Sequence, residues 1–115
     1  MTTSCIPDSC VPCKGIRASL NDFDIQTLLS EIPHWKLSPG SKKISRDYSC
    51  YDFRHSMRIL NAIAEIADRQ GHHPDFALTV YRKLRISFTT HATNGLTMND
   101  FTMAKLIDKI FEDTG

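Results

Sequence analysis

The sequence predicts an α+β domain, a four-stranded antiparallel sheet with three helices on one face, in the order α-β-β-α-β-β-α. Three observations carry this. Apolar residues recur at helical spacing in three separate stretches, short β-rich runs fall into two pairs that each close on a turn, and each helical stretch opens on a capping residue. The chain has 115 residues, 41% of them hydrophobic, which suits one core of ordinary size and is too short for two.

Residues 1–18 carry Pro7, Pro12 and Gly15 without helical or strand periodicity and read as an irregular, mobile arm. The domain is expected over 19–115. Asn21 is a suitable N-cap with Asp24 three residues on, and Ile25, Leu28, Leu29 and Ile32 repeat helically until Pro33 stops the helix. A short strand over 35–37, turn chemistry at Ser38-Pro39-Gly40-Ser41 and the alternation of Ile44, Tyr48 and Cys50 with polar residues predict a first hairpin.

Asp52 then caps a long helix that runs to Gly71. Arg54, Arg58, Asn61, Glu65, Asp68 and Arg69 make one narrow polar stripe on it. Met57, Leu60, Ala64 and Ala67 form one apolar face and Ile59, Ile63 and Ile66 another. That is more apolar surface than one sheet covers, so a second partner is expected on helix 53–70, as a homodimer or homotetramer, with Ile63 at the interface.

After Pro74, runs over 76–81 and 84–90 predict a second hairpin joined at Arg82-Lys83. Its register stays open. A three-residue loop puts Phe76, Leu78 and Val80 on the face of Leu84, Ile86 and Phe88; a two-residue loop puts Tyr81 there and implies a bulge. Thr97 caps the last helix, with Asp100 at its third position and Met103, Leu106, Ile107 and Ile110 as its core face.

Fourteen Lys and Arg against 13 Asp and Glu leave a formal charge of +1, so no global field gathers nucleic acid or anionic membrane. No apolar run approaches the roughly 18 residues of a membrane helix. The first twenty residues lack the pattern of a signal or transit peptide, and a cytoplasmic protein is expected. Of four cysteines, Cys5, Cys10 and Cys13 crowd the arm and Cys50 stands alone, which is not the even framework of a secreted mini-protein.

Titratable groups concentrate at Gly71-His72-His73-Pro74-Asp75, where a helix ends and the chain turns. Pro74 restricts His73 to an extended conformation, so the two imidazoles should diverge from a rigid corner, one inward and one toward solvent. A third imidazole, His91, ends the fourth strand before a loop containing Gly95. Bland readings compete with each. A strand-end histidine is more often a surface or hydrogen-bonding residue, Tyr81 can be an ordinary hairpin aromatic, and Thr97-x-x-Asp100 is a capping box that by itself accounts for the carboxylate. Adjacent His72 and His73 cannot easily face one ion, and the arm's single C-x-x-C lacks a second pair, so no metal is expected.

At these residues the sequence resembles the pterin-4a-carbinolamine dehydratase family over residues 19 to about 112. The resemblance rests on Asp68, His72-His73-Pro74, Tyr81 after six further positions, His91 after nine and Asp100 after eight, with support from ISRDYSCYDF at 44–53 and the Thr90-His91 to Gly95-Leu96-Thr97 segment. The six-residue spacing from Pro74 to Tyr81 is the longer of two family forms and agrees with a bulge. Phe76 stands where many members carry Trp, and Asp68 replaces a common Glu.

The resemblance implies dehydration of 4a-hydroxytetrahydrobiopterin, the carbinolamine, to quinonoid dihydrobiopterin and water, in recycling after a pterin-dependent aromatic amino acid hydroxylase. No cofactor is implied. His72 and His91 would be an exchangeable acid/base pair, because imidazole serves either role near neutral pH, and His73 would mainly hold the substrate. Backbone around Gly71 and from Thr89 through Thr90 to Ala92 would line the pterin beside Phe76, with Asp75 and Asp100 ordering the histidines. The alternative from another class is a binding module, a dimerisation cofactor of a transcription factor acting through the exposed face of the long helix.

Overall fold

Caps and breakers set the element boundaries in a computed structural model that describes residues 6, 7, 10, 20–90, 93 and 95–114. The Asn21 side chain accepts the Asp24 N–H at the start of α1 (Asp22–Leu29), and Asp52 accepts the His55 N–H at the start of α2 (Phe53–Gln70). The strands are β1 (Lys36–Leu37), β2 (Ile44–Ser49), β3 (Asp75–Thr79) and β4 (Lys83–Phe88), and α3 spans Met98–Thr114. The order is the α-β-β-α-β-β-α expected, and all strand pairs are antiparallel in the spatial order β1-β2-β4-β3. No helix among the described residues is long and apolar enough to cross a membrane.

Strand alternation sorts the sheet into a covered and an open face. Ile44, Tyr48, Leu84, Ile86 and Phe88 are buried and pack in one core with Ile59, Ile63 and Ala67 of α2 and Phe101, Met103, Ala104 and Ile107 of α3. On the opposite face Arg85 grips Asp47 through bonds of 2.7 and 3.1 Å, and these hold the Asp47 carboxyl below the usual carboxylate range.

A polar pin crosses the core edge. Asp108 Oδ1 accepts from Trp35 Nε1 at 3.0 Å, Arg46 Nη1 at 2.6 Å and Tyr48 Oη at 2.6 Å, joining α3 to β2 and to the segment before β1. Burial and the neighbouring Asp108 charge push the Tyr48 hydroxyl far above its ordinary pKa, because both oppose the phenolate.

Two expectations change. The second hairpin has a regular ladder from Asp75↔Ser87 to Thr79↔Lys83, so it takes the three-residue loop without a bulge. The extra residue sits in the turn, where Val80 and Tyr81 adopt φ of 48° and 51° and β3 stops at Thr79. Positive φ at a β-branched residue is unusual, and the turn is tied from outside: Ser56 Oγ donates to the Tyr81 carbonyl and Cys50 N–H to that of Arg82. The second change is Ile63, which is 2% exposed and belongs to the core rather than to an interface. The outward apolar residues of α2 are Phe53, Met57 and Ala64, with Leu60, Ala62 and Ile66 half-buried. Part of the expected arm is also seated: Ile6 is buried in the core and Cys10 packs against it, whereas Cys5 and Cys13 lie outside the described residues.

Candidate active site at the end of the long helix

The end of α2 aims the histidines. Gly71 sits in the left-handed region at φ 71°, which a residue with a Cβ would adopt only under strain, and its N–H and that of His72 both bond to the Ala67 carbonyl at 2.9 and 3.3 Å. This closing turn folds His72 back under the helix. Pro74 then keeps His73 from continuing the turn, so the two side chains leave in different directions. His72 is 6% exposed, while the His73 side chain is 61% exposed.

Two contacts fix His72. Its ring stacks on Phe88 with centroids 5.8 Å apart and planes at 13°, and Nε2 lies 2.7 Å from Asp100 Oδ1. Asp100 is completely buried and uses its other oxygen too: Oδ2 accepts the Thr97 N–H at 2.9 Å and the Thr90 hydroxyl at 2.8 Å. Thr90 and Thr97 hydroxyls are themselves 2.8 Å apart, and Thr90 pairs with Gly95 through backbone bonds of 3.1 and 3.3 Å. The capping box and the histidine partner are therefore one carboxylate. A buried charge with this many donors is a satisfied one.

His73 belongs to the neighbouring surface. Its Nε2 lies 2.9 Å from Asp68 Oδ1, and both side chains line an apolar groove of about 340 Å³ between α2 and β3 whose walls include Met57, Leu60, Pro74 and Phe76. Asp68, rather than Asp75, is thus the carboxylate bonded to His73; Asp75 is exposed at the start of β3. The Thr89 hydroxyl is turned toward the Lys42 carbonyl at 2.5 Å, and the Thr90 hydroxyl is spent on Asp100, so what either can offer a ligand is backbone. His91 and Ala92 lie outside the described residues.

The remaining histidines stand apart: His34 is exposed, and His55 Nδ1 accepts the Tyr51 N–H ahead of α2. Among the described residues no three His, Cys, Asp or Glu side chains gather as metal ligands would. Sequence reasoning missed the hydroxyl of Thr97 and the ring of Phe88 as parts of the site. Phe88 had a signal, since it alternates in phase with Ile86 and Leu84 and ends two residues before Thr90.

Comparison with known proteins places the chain among its relatives. A sequence model of the family described as pterin 4 alpha carbinolamine dehydratase matches residues 18–110. Relatives that carry the name pterin-4-alpha-carbinolamine dehydratase include one from Legionella pneumophila (strain Corby), 40% identical over 114 residues that cover 98% of this chain and 100% of the relative. Another, from Chlorobaculum tepidum, is 35% identical over 103 residues, covering 88% and 92%. A crystal structure of a transcriptional coactivator/pterin dehydratase from Brucella melitensis superposes with a TM-score of 0.76 at 25% identity, covering 80% of this chain and 97% of that one. With a family model spanning most of the chain and full-length relatives at this identity, the chain belongs to the pterin 4 alpha carbinolamine dehydratase family.

Proposed function

We propose that the protein dehydrates a 4a-hydroxytetrahydropterin to the quinonoid dihydropterin by histidine acid/base catalysis. The observation that carries the reading is His72, a buried imidazole whose Nε2 is engaged by a buried carboxylate, in a chain of the dehydratase family. A carboxylate on one ring nitrogen fixes the tautomer and stabilises the imidazolium formed when the other nitrogen takes up a proton.

The chemistry needs one proton given and one taken. An acid protonates the 4a-hydroxyl as the C4a–O bond breaks and water leaves; a base removes the N5 proton, and the electron pair of that N–H bond becomes the C4a=N5 double bond. His72 serves one role and His91, one residue beyond the buried Thr90, the other. His73 at the groove, with Asp68 behind it, holds the substrate. Gly71, Phe76 and backbone at Thr89, Thr90 and Ala92 contribute the remaining pterin contacts. Asp75, exposed beside His73 and Phe76, borders the same region.

The substrate class is what a pterin-dependent aromatic amino acid hydroxylase leaves behind, and cytoplasmic recycling beside such an enzyme is the setting proposed. The outward face of α2 points to a homodimer or homotetramer through helix 53–70. Phe76 is 58% exposed and Met57 39% exposed on the groove, more apolar surface than a lone chain usually shows in one place. The same face serves the alternative reading, a coactivator that covers it with a transcription factor, which the Brucella melitensis relative's description makes compatible. Following freshly generated 4a-hydroxytetrahydropterin by ultraviolet absorbance with and without the protein decides the matter. Acceleration supports the enzyme; an unchanged rate rejects it.

A further inference from the structure

Cys10 touches the two chain segments that carry the His72–Asp100 pair. Its backbone N–H donates to Gln70 Oε1 at 2.7 Å, and its thiol lies 3.8 Å from the Asn99 carbonyl oxygen. Gln70 is the last residue of α2, two positions before His72; Asn99 is buried and immediately precedes Asp100. Four residues earlier Ile6 is 3% exposed in the core, and its carbonyl accepts from Lys105 Nζ on α3 at 3.1 Å. Ile6 and Cys10 therefore rest on α3 at Lys105 and Asn99 and on α2 at Gln70. Among the described residues, the side chains of His72 and Asp100 make the corresponding bridge between the same two ends.

We infer that Ile6 and Cys10 act as a positioning strap for the catalytic histidine, with Gln70 as the positioning residue that receives it. This rests on the functional reading above and deepens it. Gln70 acts through His72 and need not touch the substrate. The physical basis is that a terminal helix turn frays beyond its last core contact, here Ala67, unless something external fixes it. The Cys10 N–H supplies that fixation on the Gln70 side chain, and the core burial of Ile6 supplies the energy that keeps Cys10 in place. Loss of the strap allows the last turn of α2 to move relative to α3, which lengthens or misaligns the His72–Asp100 bond. An acid/base group out of alignment slows proton transfer far more than it weakens binding.

Full-length Gln70→Leu removes the acceptor at a half-exposed helical position that leucine tolerates, Gln70→Glu retains an oxygen acceptor, and Ile6→Asp unseats the strap at a distance. The readouts are kcat and KM for 4a-hydroxytetrahydropterin, and the His72 imidazole signals in two-dimensional NMR of protein carrying ¹⁵N-labelled histidine. Gln70→Leu and Ile6→Asp should each lower kcat by about 10-fold with KM little changed, short of the 10²-fold that a 1 Å misplacement can cost. The His72 ring signals should broaden or shift in both, and Gln70→Glu should restore kcat and signals together. Wild-type His72 signals and kcat in Gln70→Leu and Ile6→Asp would overturn the strap. The NMR arm also separates the two claims: a wild-type chain without dehydratase activity whose His72 signals still respond to Gln70→Leu rejects the functional reading and upholds the strap.

Discussion

His72 Nε2 and Asp100 Oδ1 lie 2.7 Å apart, while the second oxygen of the same carboxylate closes the N-terminus of α3 on the Thr97 N–H at 2.9 Å. One buried side chain thus fixes a helix end and a histidine 28 positions away, so the placement of α3 and the orientation of the imidazole cannot be changed independently. The Thr90 hydroxyl at 2.8 Å adds the end of the fourth strand run to the same point.

The two jobs of Asp100 separate in Asp100→Asn. An amide oxygen still accepts at Thr97, but the amide nitrogen then presents a donor toward His72 Nε2 and carries no charge to stabilise an imidazolium. Asp100→Asn should keep most of the thermal stability while kcat falls by about 10²-fold, within the range of losing acid/base assistance. Asp100→Ala should lose both, with about 1–3 kcal/mol of stability gone from unsatisfied donors. Thermal melts beside steady-state kinetics measure this; a fully active Asp100→Asn protein would return Asp100 to its capping role alone.

The histidines should divide the work unequally. His72→Ala and His91→Ala should each lower kcat by roughly 10²–10⁴-fold, as loss of an acid or base does, and the double variant should lose more. His73 is exposed and bonded to Asp68 at 2.9 Å beside the groove, so His73→Ala should raise KM at least as much as it lowers kcat. Wild-type rates in both His72→Ala and His91→Ala would refute the mechanism. Chelators should leave all these rates unchanged, since the steps are proton transfers; loss in chelator restored by zinc would refute the mechanism as well.

What was legible in the sequence was local. Asn21 with Asp24, Asp52, Gly71, and Thr97 with Asp100 mark helix ends because capping works over three or four residues, and Pro74 gives the divergence of His72 and His73 because it acts on its neighbour. What was illegible depends on distant partners. The Asp108 pin joins residues 60 to 73 positions apart, and no local pattern marks Trp35, Arg46 and Tyr48 as its donors. Ile63 was assigned to the wrong side because helical periodicity separates faces without saying which one meets the sheet. Ile6 lay in a stretch without periodicity, and its burial depends on a place in the core that only the folded chain defines.

Alkaline pH should expose the Tyr48 hydroxyl as a weak point. Its folded pKa is raised above the ordinary tyrosine value of 10.0 by burial and by Asp108, so the stability it contributes is fully present below about pH 10 and is lost as pH rises from there toward the folded value. The thermal midpoint of the wild-type protein should fall between about pH 9 and about pH 11, and Tyr48→Phe, though less stable at neutral pH for want of its bond to Asp108, should fall less over that interval. Equal slopes for the two proteins would assign the loss to other groups.

The last prediction concerns the outward face of α2. Met57 is 39% exposed and lines the groove, whereas Ile63 on the adjoining row is 2% exposed in the core. A carboxylate at Met57 costs the isolated chain little, because it faces water there, but in an assembly that covers this face it is buried among apolar neighbours without a partner. Met57→Asp should therefore reduce the solution mass to that of one chain, or shift it strongly in that direction with dilution, while the circular dichroism of the fold is kept. Ile63→Asp should instead unfold the chain, since the charge enters the core itself. Light scattering after size exclusion, with melts on the same samples, distinguishes the two. A homo-oligomer that survives Met57→Asp would move the interface to another face, and a wild-type protein that is already a monomer would leave the groove open to a foreign partner.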